Sequence, residues 1–285
     1  SGLTENQFNA WWINEDATSG WAVASSYKQS DMFHLENGTW KANPPGAFQS
    51  DDSDDVIRSL AMSQDGSTGW AGTADGGLLR YQNGKWGKIV AGGELTKLTL
   101  VSITLSPDGT RGCAADRSGN LFRLDDGTWR QDDGLPQPVT RNDLKAIWMN
   151  EDGTAGWAAG DNVLLRYAEG SWSAVDVAGD FQDIWLNADQ SDGWAVGNYG
   201  RMLHYEADQW KPVAAPSSVI IETLWIKKDG SAGWAPAERR TVFRLSQGEW
   251  QTDAQAGEVI DRIPSDIWMS DDGVAGWIVG DEMIL

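Results

Sequence analysis

A seven-bladed, all-β propeller is the fold that the sequence predicts, on three observations. A Gly-Trp landmark recurs along the 285 residues at blade-length intervals. Each copy sits among short apolar runs of strand type, separated by turn residues. No helical periodicity interrupts the repeat, so helix-pair solenoids are excluded.

The landmark gives the count. Gly-Trp occurs at Gly20, Gly69, Gly156, Gly193, Gly233 and Gly276, and Gly112-Cys113 is the same position with its Trp replaced. The seven positions are 49, 43, 44, 37, 40 and 43 residues apart, which suits four-stranded propeller blades of about 40–45 residues. Strand A, the innermost, is the Ile147-Trp148-Met149-Asn150 type. A turn with an Asp in every copy follows: Asp16, Asp65, Asp108, Asp152, Asp189, Asp229 and Asp272. Asp suits it because its carboxylate bonds to nearby backbone amides. Strand B is Gly-Trp-Ala-Val-Gly, strand C is Leu164-Leu165-Arg166-Tyr167, and strand D is Gly170-Ser171-Trp172. Such blades stack radially and leave only short edges.

Two copies carry a resemblance. Ile103 to Leu124 resembles a WD-repeat blade, and Gly193-Trp194-Ala195-Val196-Gly197 resembles the Trp-rich propeller repeats of photosystem II assembly factors and related bacterial propellers. The resemblance extends over nearly the whole chain and implies the fold; it does not imply a ligand. The Trp-Asp dipeptide and Gly-His pair of true WD repeats are missing. Ser63 to Trp70 keeps the Ser, Asp and Trp of a sialidase Asp-box with its Gly displaced.

The ends leave the ring open. The first blade is expected to begin with strand A near Trp11-Trp12, residues 1–9 being a poor strand. The last blade is incomplete and stops in strand C at Met283-Ile284-Leu285. Its strand D must come from the N-terminus, from further chain, or be missing. Residues 1–285 are therefore read as a single β-propeller domain, with a fragment of a longer polypeptide as the alternative.

Composition narrows the partners. Twenty-two Lys and Arg against 42 Asp and Glu give a net charge of -20. Counterion release, which drives nucleic-acid binding, would have the wrong sign, and anionic membrane surfaces are disfavoured alike. A protein partner is expected, with a glycan as the second choice. No apolar run reaches the roughly 18 residues of a membrane span, and Ser1 to Ala10 has no signal-peptide core, so membrane insertion is not expected and the compartment stays open. A single Cys, Cys113, and two His exclude a disulfide framework and a multi-Cys metal site. Asn37-Gly38-Thr39 fits the glycosylation pattern within a repeat turn.

Seventeen of the 18 Trp fall at repeat positions on strands A, B and D, leaving Trp11, and are read as packing between blades. Strand C repeats a basic position: His34, Arg80, Arg123, Arg166, His204 and Arg244. Equivalent residues on the third strand outward diverge from the axis, so they are expected to pair with local carboxylates or carbonyls and not to share a ligand.

Function is sought where the repeat breaks. The A–B and C–D turns of one face are uniform; the B–C and D–A loops of the other vary, and loops on a rigid scaffold carry recognition. On that face Arg117, Tyr199, Arg201, Arg239 and Arg240 are the candidate ligand-binding residues, suited to a carboxylate or phosphate. Asp51, Asp52, Asp54 and Asp55 in the first D–A loop are a candidate Ca²⁺ site, with a solvated acidic loop as the alternative; no other cofactor is implied. Ala61 and Thr104 replace the strand-A Trp of blades two and three and could open a groove. Glu222 and Asp183 lie near strand A, where a glycosidase would need paired carboxylates, but nothing in the sequence pairs them. With no nucleophile elbow, phosphate loop or zinc helix, the expected function is a non-catalytic binding or scaffolding module that recognises a protein through the B–C and D–A face. A lectin is the alternative, and a glycosidase the third.

Overall fold

The computed structural model describes residues 7–25, 30–48, 56–89, 99–132, 135, 144–259, 264–270, 273, 276–280 and 283–284. Each sheet is an antiparallel meander with its strands in chain order. Blade one is β1 (Gln7–Ile13), β2 (Ser19–Ser25), β3 (Ser30–Glu36) and β4 (Thr39–Ala42). Blade two is β5 (Ile57–Met62), β6 (Gly69–Thr73), β7 (Leu78–Gln82) and β8 (Lys85–Lys88). Blade three is β9 (Leu100–Leu105), β10 (Arg111–Asp116), β11 (Leu121–Asp125) and β12 (Thr128–Gln131). Blade four is β13 (Leu144–Met149), β14 (Gly156–Gly160), β15 (Val163–Ala168) and β16 (Ser171–Ala174). Blade five is β17 (Phe181–Leu186), β18 (Asp192–Gly197), β19 (Arg201–Glu206) and β20 (Gln209–Ala214). Blade six is β21 (Trp225–Ile226), β22 (Ala232–Ala237), β23 (Thr241–Ser246) and β24 (Glu249–Thr252), followed by the short helix α1 (Ala254–Val259).

The seven-bladed expectation is corrected here: six four-stranded blades are complete, not seven. The last sheet, β25 (Pro264–Met269), β26 (Gly276–Gly280) and β27 (Met283–Ile284), has three strands. Strand A of blade one also starts earlier than expected, at Gln7. These residues therefore serve as an inner strand and supply no outer strand to the last sheet. That sheet packs on blade one: Val279 joins Phe8, Trp11, Ile13, Phe33 and Leu35 in one buried cluster. The Ser265 hydroxyl donates to the Phe8 carbonyl at 2.9 Å, and Lys228 of blade six pairs with Glu15 of blade one.

The Gly of the landmark is explained by a close approach. A Cβ on Gly156 would lie 2.9 Å from the Trp148 carbonyl oxygen of strand A, and one on Gly112 would lie 2.5 Å from that of Thr104. No side chain fits between the two inner strands at this point, whichever blade is considered.

The landmark Trp is buried and covered on both sides in four blades, at Trp21, Trp70, Trp157 and Trp194, and half-buried at Trp234 and Trp277. On one side lies the basic residue of strand C in the same blade. Arg80, Arg166 and Arg244 stand 5.2, 5.7 and 5.4 Å from the rings of Trp70, Trp157 and Trp234, and His34 and His204 stack at 4.4 and 4.3 Å on Trp21 and Trp194. The expectation of carboxylate or carbonyl partners holds for His34 with Glu36, His204 with Asp192 and Arg123 with Asp132; the main partner of the set is the indole face. From the other side comes the strand-D Trp of the next blade, edge-on. Trp86 meets Trp21, Trp129 meets Trp70, Trp210 meets Trp157 and Trp250 meets Trp194, at interplanar angles of 89, 88, 84 and 86°. The indole N–H groups of Trp86, Trp129, Trp210 and Trp250 are buried without an oxygen or nitrogen acceptor, as suits N–H edges aimed at a π face. Blade three has Cys113 in place of this Trp, and its Arg123 moves to the ring of Tyr167 in blade four, 4.9 Å away.

The turn Asp residues act as sequence chemistry requires. Oδ1 of Asp108 accepts from the Thr110 amide at 3.0 Å and from the Ser106 hydroxyl at 2.6 Å. Asp16, Asp65, Asp152, Asp189 and Asp229 do the same with the Ser or Thr two residues on. These bonds favour the ionised form. The Ser106 hydroxyl, with Thr110, holds Asp108 down to about 2, and Ser231 holds Asp229 down to about 2. A depressed carboxyl contributes stability that is present above its ordinary range and lost as pH falls through the folded value. The urea midpoint is therefore expected to drop as pH is lowered from about 4 to about 2. An Asp108→Asn, Asp229→Asn double variant should drop less; an equal drop would assign the acid limb to other carboxylates.

Candidate functional site

The candidate face is built where the inner strands start. In each complete ladder the inner strand carries a β-bulge, which leaves one residue outside the register: Asn9, Arg58, Val101, Lys145, Gln182 and Ser265. A bulge re-aims its side chain. Glu222 holds the equivalent place in blade six, two residues before Leu224. The B–C loops fold back onto the same ends: the amides of Arg117 and Glu238 donate to the carbonyls of Thr99 and Ile220.

Several bulge side chains staple their neighbours. Asn9 donates to the Ile57 carbonyl of the next blade at 3.2 Å, and Gln182 to Asn198 at 2.8 Å. Lys145 pairs with Asp161 of its own B–C loop at 2.5 Å. Arg58 differs. Its neighbours are protein atoms that strip away water and the like charge of Arg117, and both lower its pKa, desolvation more. Neither guanidinium has an ion pair or hydrogen bond from its side chain among the described residues. Opposite, burial first and the charge of Glu238 second raise the Glu222 carboxyl, while Lys145 pulls it down. Cations thus stand on the bulges or loops of blades two to four, and blade six sets the carboxylates of Glu222 and Glu238 beside its Arg239-Arg240 turn.

Arg117 opens the B–C loop of blade three and is exposed. Tyr199, in the 3-10 turn Asn198–Gly200 of blade five, is 81% exposed with φ at 58°. Arg201, at the start of β19, donates to the Ala178 carbonyl at 2.8 Å. Arg239 and Arg240 form the B–C turn of blade six with φ at 60 and 57°, a conformation that costs a side-chain-bearing residue energy. No contact among the described residues brings these groups together; they mark three separate blades of one face. The sequence reading missed Arg58, although a lone Arg in an inner-strand column otherwise held by Asn, Val, Lys, Gln, Glu and Ser was there to be seen.

Asp51, Asp52, Asp54 and Asp55 lie outside the described residues. Among those described, no three His, Cys, Asp or Glu side chains are grouped to hold a metal. No helix among them is long and apolar enough to cross a membrane. Asp183 is not paired with Glu222; it faces Thr223 and Asp266 on the inner strands. Cys113 is buried, and burial pushes its thiol well up. A cavity of about 130 Å³ on the opposite side, between blades three and four, is lined by Arg111, Arg123, Asp125, Met149 and Asp152.

No protein-family model and no curated protein matches the chain. Solved structures do. YCF48 from Cyanidioschyzon merolae is similar with a TM-score of 0.75 at 14% identity, over 99% of this chain and 94% of that one. The structure described as YCF48 bound to D1 peptide is similar with a TM-score of 0.76 at 17% identity, over 99% of this chain and 92% of the other. At these identities the likeness is one of architecture alone, and by it the chain is a β-propeller built like the YCF48 propellers.

Proposed function

We propose that residues 1–285 form one propeller domain, with β25–β27 as its seventh blade, that works as a non-catalytic binding or scaffolding module for a protein partner. The partner docks on the B–C and D–A face. Arg58 and Arg117 grip an acidic or carboxylate-ended segment, and Tyr199, Arg201, Arg239 and Arg240 contribute around the rim.

The observation that carries this reading is that the charge of Arg117 bears on Arg58 while neither guanidinium has a counter-ion among the described residues, on a chain of net charge -20. Two neighbouring cations repel, and no carboxylate among the described residues pairs with either. A bidentate carboxylate would relieve both at once. The peptide seated on one YCF48 structure supports the class of partner, since a propeller of this shape takes a segment of another protein. The abundance of Trp no longer favours a lectin: the rings of Trp21, Trp70, Trp157 and Trp194 are buried between a strand-C Arg or His and a neighbouring indole.

The test is a peptide array in which each sequence is made with a free C-terminal carboxylate, with an acidic interior, and in neutral form. Carboxylate-bearing peptides are expected to bind, and Arg58→Ala or Arg117→Ala to weaken them about tenfold to a hundredfold, the worth of a charge-assisted pair. Each substitution should leave the fold intact and slightly raise the unfolding midpoint by removing repulsion. Binding that is indifferent to both changes would sink the site, and retention on glycans eluted by free sugar would favour the lectin.

A further inference from the structure

One strand-A column faces the seam between neighbouring blades. By register its members are Ala10, Ser59, Ser102, Ala146, Asp183, Thr223 and Asp266. Four are small. The last three, on consecutive blades, are Asp, Thr and Asp, and they touch. The Thr223 hydroxyl lies 3.0 Å from Oδ2 of Asp183 and 3.3 Å from Oδ1 of Asp266. Asp183 also accepts from the amides of Leu224 at 2.9 Å and Ile184 at 2.8 Å. Asp266 accepts from the Ile267 amide at 2.8 Å and from the side chain of Trp11 in blade one. The series thus crosses three seams in a row, five to six, six to seven, and seven to one. Trp11 occupies a column that is Leu or Ile in every other blade: Leu60, Ile103, Ile147, Ile184, Leu224 and Ile267.

We propose that Asp183, Thr223, Asp266 and Trp11 are a proton-dependent latch that closes the ring beside the three-stranded sheet. The reason is a count of protons. A hydroxyl has one to donate. Thr223 gives it to Asp183, the nearer acceptor, so the contact with Asp266 is a hydrogen bond only while Asp266 keeps its own proton and donates it to Oγ1. When that proton leaves for bulk water, the Thr223 oxygen faces a carboxylate it cannot serve, and two carboxylates share one hydroxyl.

The surroundings favour the protonated state. Asp183 from blade five, the Thr223 hydroxyl from blade six, the Ile267 amide from blade seven and the Trp11 indole from blade one face Asp266, and the one charged group among them is an anion. No Lys, Arg or His is among its described partners, and the next titratable group on blade six, Glu222, is itself raised. Burial pushes Asp183 up to about 6; burial, and then the charge of Asp183, pushes Asp266 up to about 7. The two titrate as a pair that holds one proton near neutrality. A raised folded pKa contributes stability that is complete below the ordinary carboxyl range and lost as pH rises through the folded value.

The test compares thermal unfolding of the native chain and of Asp266→Asn, which carries no charge at any pH. The native midpoint is expected to fall by about 5 °C or more between about pH 5.5 and about pH 8.5, and the variant to keep the low-pH midpoint and lose most of that fall. Equal falls in the two proteins overturn the latch. Should the variant fail to fold, the native chain labelled at its Asp carboxyl carbons decides by NMR. One resonance titrating near neutrality is expected, and a chain whose Asp resonances all titrate below about pH 5 overturns the proposal.

Discussion

Replacing Trp194 by Ala is expected to lower the unfolding free energy by about 3–5 kcal/mol, the usual loss for a buried Trp. The ring is 2% exposed. His204 covers one face at 4.3 Å, and Trp250 of the next blade presents its edge from 5.6 Å. The substitution therefore opens a cavity at a blade seam and removes the ring that Trp250 meets edge-on. Urea unfolding measures the loss, and a cycle with Trp250→Ala should show a coupling of about 0.5–1.5 kcal/mol. Blade three shows why the position is not simply tolerant, although it carries Cys113. There the guanidinium of Arg123 lies over Tyr167, and Asp132 holds it at 3.0 Å. His204 is too short to make that move, so blade five has no such repair. A loss under about 1 kcal/mol would mean that the seam repacks around the missing ring.

The same residues show how far the sequence could be read. Strand order, turn positions and the strand-B landmark were legible because each is set by local chemistry repeated from blade to blade: a Gly where strand A passes too close for a Cβ, and an Asp whose carboxylate bonds two residues on. The strand-C cations were legible as a set, but their partner was not. Three of the four Arg meet an indole two columns away in sequence and opposite in register, as Arg166 pairs with Trp157. Only the strand pairing brings those columns together. The strand-D Trp required more still, since its partner belongs to the preceding blade.

The candidate site was half legible for a related reason. Arg117, Tyr199, Arg201, Arg239 and Arg240 stand out because they interrupt the repeat in loops. Arg58 interrupts it inside strand A, and its importance depends on a bulge that no residue type announces. Asp183 was noticed, but it was set beside Glu222, its neighbour in kind and not in space. Its real companions, Thr223 and Asp266, come into view when the seven inner strands are aligned by register and the column at that height is read around the ring.

That column leads to the second large effect. Asp183→Ala is expected to cost about 2–4 kcal/mol, because two donors in the seam between blades five and six lose their acceptor and each orphaned group costs about 1–3 kcal/mol. Blade six depends on that acceptor more than its neighbours would. Its inner strand β21 spans only Trp225–Ile226, and residues 221–224 are tied in by an isolated bridge from Ile221 to Ala237 and by the Glu222 amide on the Pro236 carbonyl at 3.3 Å. The Leu224 amide has Asp183 in place of a ladder partner. Asp183→Asn, with its carbonyl in the place of Oδ2, keeps the acceptor that the Leu224 amide and the Thr223 hydroxyl share, gives up the one for the Ile184 amide and removes a buried charge, so it should cost less than the Ala change, about 1 kcal/mol at neutral pH. Amide hydrogen exchange separates the local event from the global one: Leu224 should exchange faster in the Ala variant and near the native rate in the Asn variant. If Asp183→Ala costs less than about 0.5 kcal/mol, water has replaced the carboxylate, and packing of Leu224 and Ile226 alone holds blade six in the ring.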